Sequence, residues 1–284
     1  MSAGLAGGLV LALVSATAIN WGYLLMHQAA TALPPLSLRH PIRSIRALFT
    51  VPRWLFGFFA GIVGWVFYVA ALKLAPLSLV QAASAGGIGV LALLVARTTH
   101  APLARRELWG VIAAMAGLVL LGLSLHGHTD TGNAGSTVAI GLWIVCSGVA
   151  AGLVAGPGSR LLAAGAGLGA AAGIMYAAGD VATKAAVFGG WRFAFVPVLL
   201  ACHGTGFVAL QFGFQRGGAL ATAGVATVLT NALPIAAGMV LFSESLPGGA
   251  AGVARVGAFA AVVVGAALLA HADSEPEPSA VAVA

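Results

Sequence analysis

The chain has 284 residues, of which 60% are hydrophobic and 7% charged, with a mean hydropathy of +1.03. A water-soluble domain carries about a quarter charged residues, so this composition lacks the polar surface needed to cover a globule in water. The formal charge of +6 and the pI near 10.2 would suit nucleic acid. The basic residues stand singly or in small groups between apolar runs, however, which is how topology is encoded in a bilayer, so nucleic-acid binding is set aside.

Crossing the hydrocarbon core takes about 20 apolar residues, and about nine such runs follow one another along the chain. The first, near 4–27, has no positive segment ahead of it and reads as a retained helix, not a cleaved signal peptide. It carries Asn20, Trp21 and Tyr23. Interfacial anchoring accounts for the aromatic pair, but Asn20 calls for an interhelical hydrogen bond or a ligand. The stretch 28–52 holds Pro34, Pro35, Pro41 and Pro52. Within it Arg39, Arg43 and Arg46 share one helical face, and Ile42, Ile45 and Phe49 another. A short helix on the cytoplasmic membrane surface fits this pattern; an ordinary basic loop is the other reading.

Spans near 53–73 and 76–97 come next. In the second, Gln81 and Ser84 share a face ahead of "GGIG", a run that permits close helix packing, and Gln81 is a candidate for lining a cavity. After 106–125 the loop 126–137 holds no Lys or Arg, and the next span is 138–155. The span near 161–188 contains "YAAGDVATKAA", in which Asp180 and Lys184 stand four apart with the acid first, the favourable order for a helical pair. Each charge costs about 3 kcal/mol at a bilayer centre, so the pair either braces the bundle or faces a central cavity as a gate or substrate contact. In 192–214, His203, Gln211 and Gln215 fall along one side, and a histidine can carry a proton near neutral pH. In 218–241, Asn231 precedes Pro234 by three residues. Proline loosens the helix one turn earlier, which makes Thr230 and Asn231 candidates. The last span is 249–271, where Arg255 pairs with Glu244 of the preceding loop. The tail 272–284, "ADSEPEPSAVAVA", is acidic and proline-containing and reads as disordered.

Orientation follows from charge. With the N-terminus outside, Arg39, Arg43, Arg46, Arg53, Arg97, Arg105, Arg106, Arg160 and Arg216 all fall on the cytoplasmic side, leaving Lys73 and Arg192 at the ends opposite. The positive-inside rule prefers this arrangement, with the C-terminus in the cytoplasm. Cys146 and Cys202 lie in apolar spans without partner spacing, so neither a disulfide framework nor a zinc site is indicated. No nucleophile with a placed base, carboxylate pair or phosphate-binding loop suggests catalysis. The expectation is a non-enzyme with no cofactor and no bound metal.

The segments "ALKLAPLSLVQAASAGGIGVLALLVA" (71–96) and "GFQRGGALATAGVATVLTNALPIAAG" (213–238) share an architecture: a helix ends at a polar residue, turns, and resumes rich in small residues. "GLVLLGLSLHG" (117–127) and "AAVVVGAALLAHA" (260–272) close each half with a similar cadence. Residues 1–271 thus read as one transmembrane domain of two inverted repeats, about 4–127 with four helices and about 138–271 with five. The helix missing from the first half is expected between 27 and 53. Opposite halves are what an alternating-access transporter needs.

"AINWGYLLMHQAATALPPLSL" and "LTNALPIAAGMVLFSESL" resemble the drug/metabolite transporter superfamily, including its EamA-type members. A closer resemblance is to the NIPA-like magnesium transporter branch. Its pattern G-E-x-A-N-F…A-P-x-x-L-V-T-P is similar to "GWVFYVAALKLAPLSLVQA" (64–82), matched at Gly64, Ala75, Pro76, Leu79 and Val80. Trp65 stands at the glutamate position, Tyr68 at the asparagine and Ala82 at the second proline. Magnesium takes oxygen ligands and often carboxylates, and Trp65 removes that acid.

The resemblance therefore implies an all-α polytopic bundle and a secondary transporter of a small metabolite or drug-like solute in the cytoplasmic membrane. Divalent-cation transport and a non-transporting scaffold are the alternatives. Asn20, Gln81, Asp180, Lys184, His203, Gln211, Thr230 and Asn231 are the candidate solute-binding residues. The expected partners are the lipid bilayer and a small-molecule or ion substrate, with a homodimer left open.

Overall fold

The computed structural model describes residues 3–34, 36, 41–74, 80, 84, 86–99, 102–124, 133–243 and 249–270. Gln81, Arg39, Glu244 and the tail 272–284 lie outside them. Among the described residues every regular element is helical: α1 (Ala3–Thr31), α2 (Pro41–Leu48), α3 (Pro52–Leu74), α4 (Gly86–Thr99), α5 (Arg105–Ser124), α6 (Thr137–Ala155), α7 (Ala166–Val187), α8 (Phe195–Phe214), α9 (Val225–Leu241) and α10 (Ala250–Ala270). A π turn, Leu220–Gly224, leads into α9.

Among the described residues, six stretches are long and apolar enough to cross a membrane: Ala6–Thr31, Pro52–Ala71, Thr137–Ala155, Gly190–Phe214, Leu220–Leu241 and Gly252–Leu269. The sequence reading of about nine counts three more. Of these, α5 and α7 have 20 and 22 residues, but α5 opens on Arg105, Arg106 and Glu107, while α7 carries Asp180, Lys184 and several glycines. The third, α4, is described over 14 residues.

What these helices present outward is apolar. On α6, Val138, Leu142, Val145, Val149 and Leu153 form one exposed stripe at helical spacing. Phe56, Phe59, Val63 and Val66 do the same on α3. Apolar faces this extensive need lipid, not water, around them. The stretch 28–52 left a choice between a helix and a loop, and Pro41–Leu48 is helical, burying Ser44 and Leu48 and exposing Arg46.

Lipid tails are as apolar as leucine, so the bundle is held by close backbone packing at small residues. The pair α1–α3 shows this best. A Cβ on Gly22 would meet the Gly57 carbonyl at 2.5 Å, and one on Gly57 would meet the Gly22 carbonyl at 2.7 Å. α5 packs on α10 in the same way through Gly117 and Gly265. α7 is the central strut, packing against α6, α8 and α9, while α1 also packs on α4.

Candidate functional site

A cavity of about 340 Å³ opens where α1, α3, α7, α8 and α9 converge. Its wall is built mostly of aromatic and aliphatic side chains. Tyr23 comes from α1, Phe58, Trp65 and Tyr68 from α3, Tyr176 from α7 and Phe207 from α8. The polar groups are few and come from different helices: Asn20, Asp180, His203, Thr227, Thr230 and Asn231, with Ser15 and Ser84. A mostly apolar wall with a handful of placed polar groups is the usual make-up of a small-molecule site.

Asp180 and His203 are the facing pair of ionisable groups in the wall. His203 Nε2 lies 3.6 Å from Asp180 Oδ1, and Nδ1 lies 2.9 Å from the Leu199 carbonyl. A carbonyl only accepts, so Nδ1 carries a proton and donates; Nε2 then attracts the carboxylate only when the ring is an imidazolium. The approach depends on Gly179, because a Cβ there would overlap the His203 ring. Tyr176, one turn before Asp180, has its ring 5.8 Å from the imidazole.

The other polar walls come from α1 and α9. Asn20 Nδ2 donates to Ala16 O at 2.8 Å, one turn back on its own helix. Asn231 Nδ2 donates to Thr227 O at 2.7 Å in the same manner. Pro234 sits inside α9 and has no N–H to give the carbonyl of Thr230, which loosens the helix beside the cavity.

A floor of packed side chains lies under the cavity, toward the end of the bundle that carries Arg53 and Arg216. Trp54 stacks on Phe58 at 5.3 Å and 9°, and both rings meet Phe207 edge-on. The Trp54 indole N–H donates to Gln211 Oε1 at 2.8 Å, both side chains being fully buried. One turn on, Gln215 straps α8 to the end of α1. Its Nε2 donates to Ala30 O at 2.8 Å, and its Oε1 accepts from the Leu36 amide at 2.6 Å.

Of the residues singled out in the sequence, Asn20, Asp180, His203, Thr230 and Asn231 share the cavity wall. Gln211 stands beneath it, in the floor. Lys184 is not among the described lining residues; its Nζ lies 4.4 Å from the Phe242 ring, and the recorded ion pair of Asp180 is with His203. Gln81 lies outside the described residues. Phe58, Tyr176, Phe207 and Thr227 also line the cavity but carry no mark of facing inward, being aromatics or a threonine in apolar helices, and Trp65 and Tyr68 stand out in the sequence only as departures from the NIPA-like pattern. Gly179 beside Asp180 did carry a signal, since a glycine next to a buried charge allows a partner to come close.

The molecule is thus a multi-pass helical membrane protein with a mostly apolar cavity, holding an ionisable pair, among its helices. Its sequence is similar to that of the probable magnesium transporter NIPA9 of Arabidopsis thaliana, 26% identical over an aligned length of 269, with 84% of this chain and 74% of that one covered. This bears out the resemblance to NIPA-like transporters. No family model matches the chain, and no solved structure matches it.

Proposed function

We propose that the chain is a secondary transporter, not an enzyme, which moves a small metabolite or drug-like solute across the cytoplasmic membrane by alternating access. The observation that carries this reading is the shared cavity: Asn20, Asp180, His203, Thr230 and Asn231 reach it from four different helices. Helix packing supports two related halves. α1 packs on α3 and α4, α7 packs on α8 and α9, and α5 meets α10. On this correspondence α1, α3, α4 and α5 match α7, α8, α9 and α10. α6 is left without a counterpart, and the helix lacking in the first half would precede α1 instead of falling between 27 and 53. Matched helices stand an odd number of spans apart and so run in opposite directions, as inverted repeats do. With the N-terminus outside, the exposed Arg46, Arg53, Arg97, Arg105, Arg106, Arg160 and Arg216 face the cytoplasm, and the floor of packed side chains lies on that side.

Magnesium transport is the second reading, favoured by the name of the Arabidopsis relative. The wall argues for an organic solute instead. Trp65 and Tyr68, which stand where the NIPA-like pattern has glutamate and asparagine, both line the cavity, and Asp180 is the one acidic group among its described lining residues. Magnesium is held mainly by carboxylates and retained waters, whereas this wall offers a single described carboxylate among mostly aromatic and aliphatic side chains.

The test is uptake into vesicles of a panel of labelled amines, amino acids, sugars and magnesium, with Asp180→Asn and Lys184→Gln made singly and together. Asp180→Asn is expected to fold and lose uptake of the transported solute, and Lys184→Gln to keep it. Full uptake by Asp180→Asn would sink the assignment of the cavity as the transport site.

A further inference from the structure

The polar groups of the cavity are unequally spent. Asn20 is 2% exposed and Thr227 8%. Asn20 Oδ1 and Thr227 Oγ1 are both buried and have no hydrogen-bond partner among the described residues. Both residues line the cavity. A buried oxygen without a donor is costly, and in a bilayer no bulk water stands ready to supply one.

Their surroundings explain why the bundle does not satisfy them. The Asn20 amide nitrogen is committed to the Ala16 carbonyl at 2.8 Å and lies against Gly87, where a Cβ would overlap it. Flipping the amide would put its oxygen against that carbonyl, so Oδ1 stays the free end and can only accept. The side-chain amide of Asn231, one turn on, donates to the Thr227 carbonyl at 2.7 Å, not to its hydroxyl. Asp180 adds a carboxylate whose recorded partner, His203, leaves one oxygen over. The unspent capacity is therefore mainly acceptor, and the Asp180 carboxylate leaves a net negative charge whenever the His203 ring is neutral. Around it stand the aromatic side chains of Tyr23, Phe58, Trp65, Tyr176 and Phe207, which shelter an apolar body and can attract a cation through their ring faces.

We propose that this cavity binds a protonated primary or secondary amine carrying a hydrophobic body. Asn20 Oδ1 accepts an N–H of the ammonium, Asp180 answers its charge, and Thr227 Oγ1 takes a further polar hydrogen of the same solute. This rests on the reading of the cavity as the solute site and narrows it to one chemical class. The N–H is the discriminating feature. A quaternary ammonium of the same shape satisfies the charge and the rings but leaves Asn20 Oδ1 without a donor, and an alcohol supplies a hydrogen but no charge.

The experiment uses the full chain in lipid nanodiscs, with Trp65 fluorescence as the signal and Trp65→Phe as the control for its origin. Four probes are titrated: benzylamine, benzyltrimethylammonium, benzyl alcohol and magnesium chloride. Benzylamine is expected to bind at least about tenfold more tightly than its quaternary analogue, the loss that one unmade hydrogen bond to a buried acceptor produces. Asn20→Leu should reduce that preference to about threefold or less while leaving the quaternary probe's affinity unchanged. Thr227→Val, close in shape to the native residue, should weaken benzylamine less, and Thr227→Ser should restore it. Equal or tighter binding of the quaternary probe overturns the proposal. So does an Asn20→Leu protein with native helicity and melting that retains the preference. If the alcohol or magnesium binds and benzylamine does not, the amine class is wrong while the cavity remains a binding site. If none of the four changes the Trp65 signal, the reading of the cavity as a solute site falls as well.

Discussion

Gln211 looks like a ligand in the sequence and like masonry in the structure, and a double-mutant cycle with Trp54 separates the two. Both side chains are fully buried, and the indole N–H reaches Gln211 Oε1 at 2.8 Å. Gln211→Leu leaves that N–H without its acceptor, and a buried polar group so stranded costs about 1–3 kcal/mol. Trp54→Phe strands the amide oxygen instead and also thins the stack on Phe58, so it should cost at least as much. Removing both partners strands neither, and replacement of a whole buried pair by apolar groups is often close to neutral. The double variant should therefore be more stable than the sum of the singles by about 1–2 kcal/mol, within the range seen for residues in contact. The assay is reversible unfolding in mixed micelles, followed by circular dichroism. Costs that add to within about 0.5 kcal/mol would refute the claim that this bond holds the floor, and would return Gln211 to the list of groups facing solute.

Gly22→Ala should destabilise the folded protein by about 1–3 kcal/mol, because its methyl would press on the Gly57 carbonyl, and backbone cannot yield as a side chain can; the same micelle unfolding measures it. Gly265→Leu, which drives into the Ala114 backbone on α5, should lower thermal stability by a similar amount but leave solute affinity of the folded fraction unchanged, since none of the cavity's described lining residues comes from α5 or α10. Gly179→Ala should fold yet lose uptake, because its methyl displaces the His203 ring from Asp180. With Cys146 and Cys202 replaced by serine, single cysteines at Arg46 and Ser136 should react with an impermeant maleimide from opposite sides of the membrane; labelling of both from one side would refute the expected orientation.

The helices were legible because the bilayer leaves one solution for each apolar run: every backbone group must be satisfied within its own segment. Thus the runs at 138–155 and 192–214 became α6 and α8 with ends moved by a few residues. The count was less secure where helices carry charge or small residues in place of bulk. α7 is the clearest case. Its alanines and glycines let α6, α8 and α9 crowd around it, and the same residues lower its hydropathy below that of a lipid-facing helix. The mirrored cadence of 71–96 and 213–238 was visible, but not which helix lacks a counterpart, since that depends on which pairs pack together.

Site residues were legible where a polar group was an anomaly in apolar surroundings, and so Asn20, Asp180 and Asn231 could be picked out one by one. Their partners could not, because partnership depends on rotation about neighbouring helices. Asp180 and Lys184 are four apart and could meet on a lone helix, yet the recorded partner of Asp180 comes from α8, through the gap that Gly179 leaves. The aromatic wall was hidden for the opposite reason: Trp65 is as much at home in lipid as in a cavity. Its placement gives the departure from the NIPA-like pattern a physical meaning. At 65 and 68 an acid and an amide are replaced by aromatic rings, and both positions face the same space as Asp180. On the proposed reading, exchanging oxygen ligands for aromatic rings while retaining one carboxylate would turn a wall suited to a hard, hydrated cation into one suited to a soft organic one. Trp65→Glu should therefore weaken benzylamine and strengthen magnesium binding in the same nanodisc titration, read by calorimetry since the fluorophore is gone. A variant that folds and binds both as the parent does would mean that position 65 does not set the chemistry of the cavity.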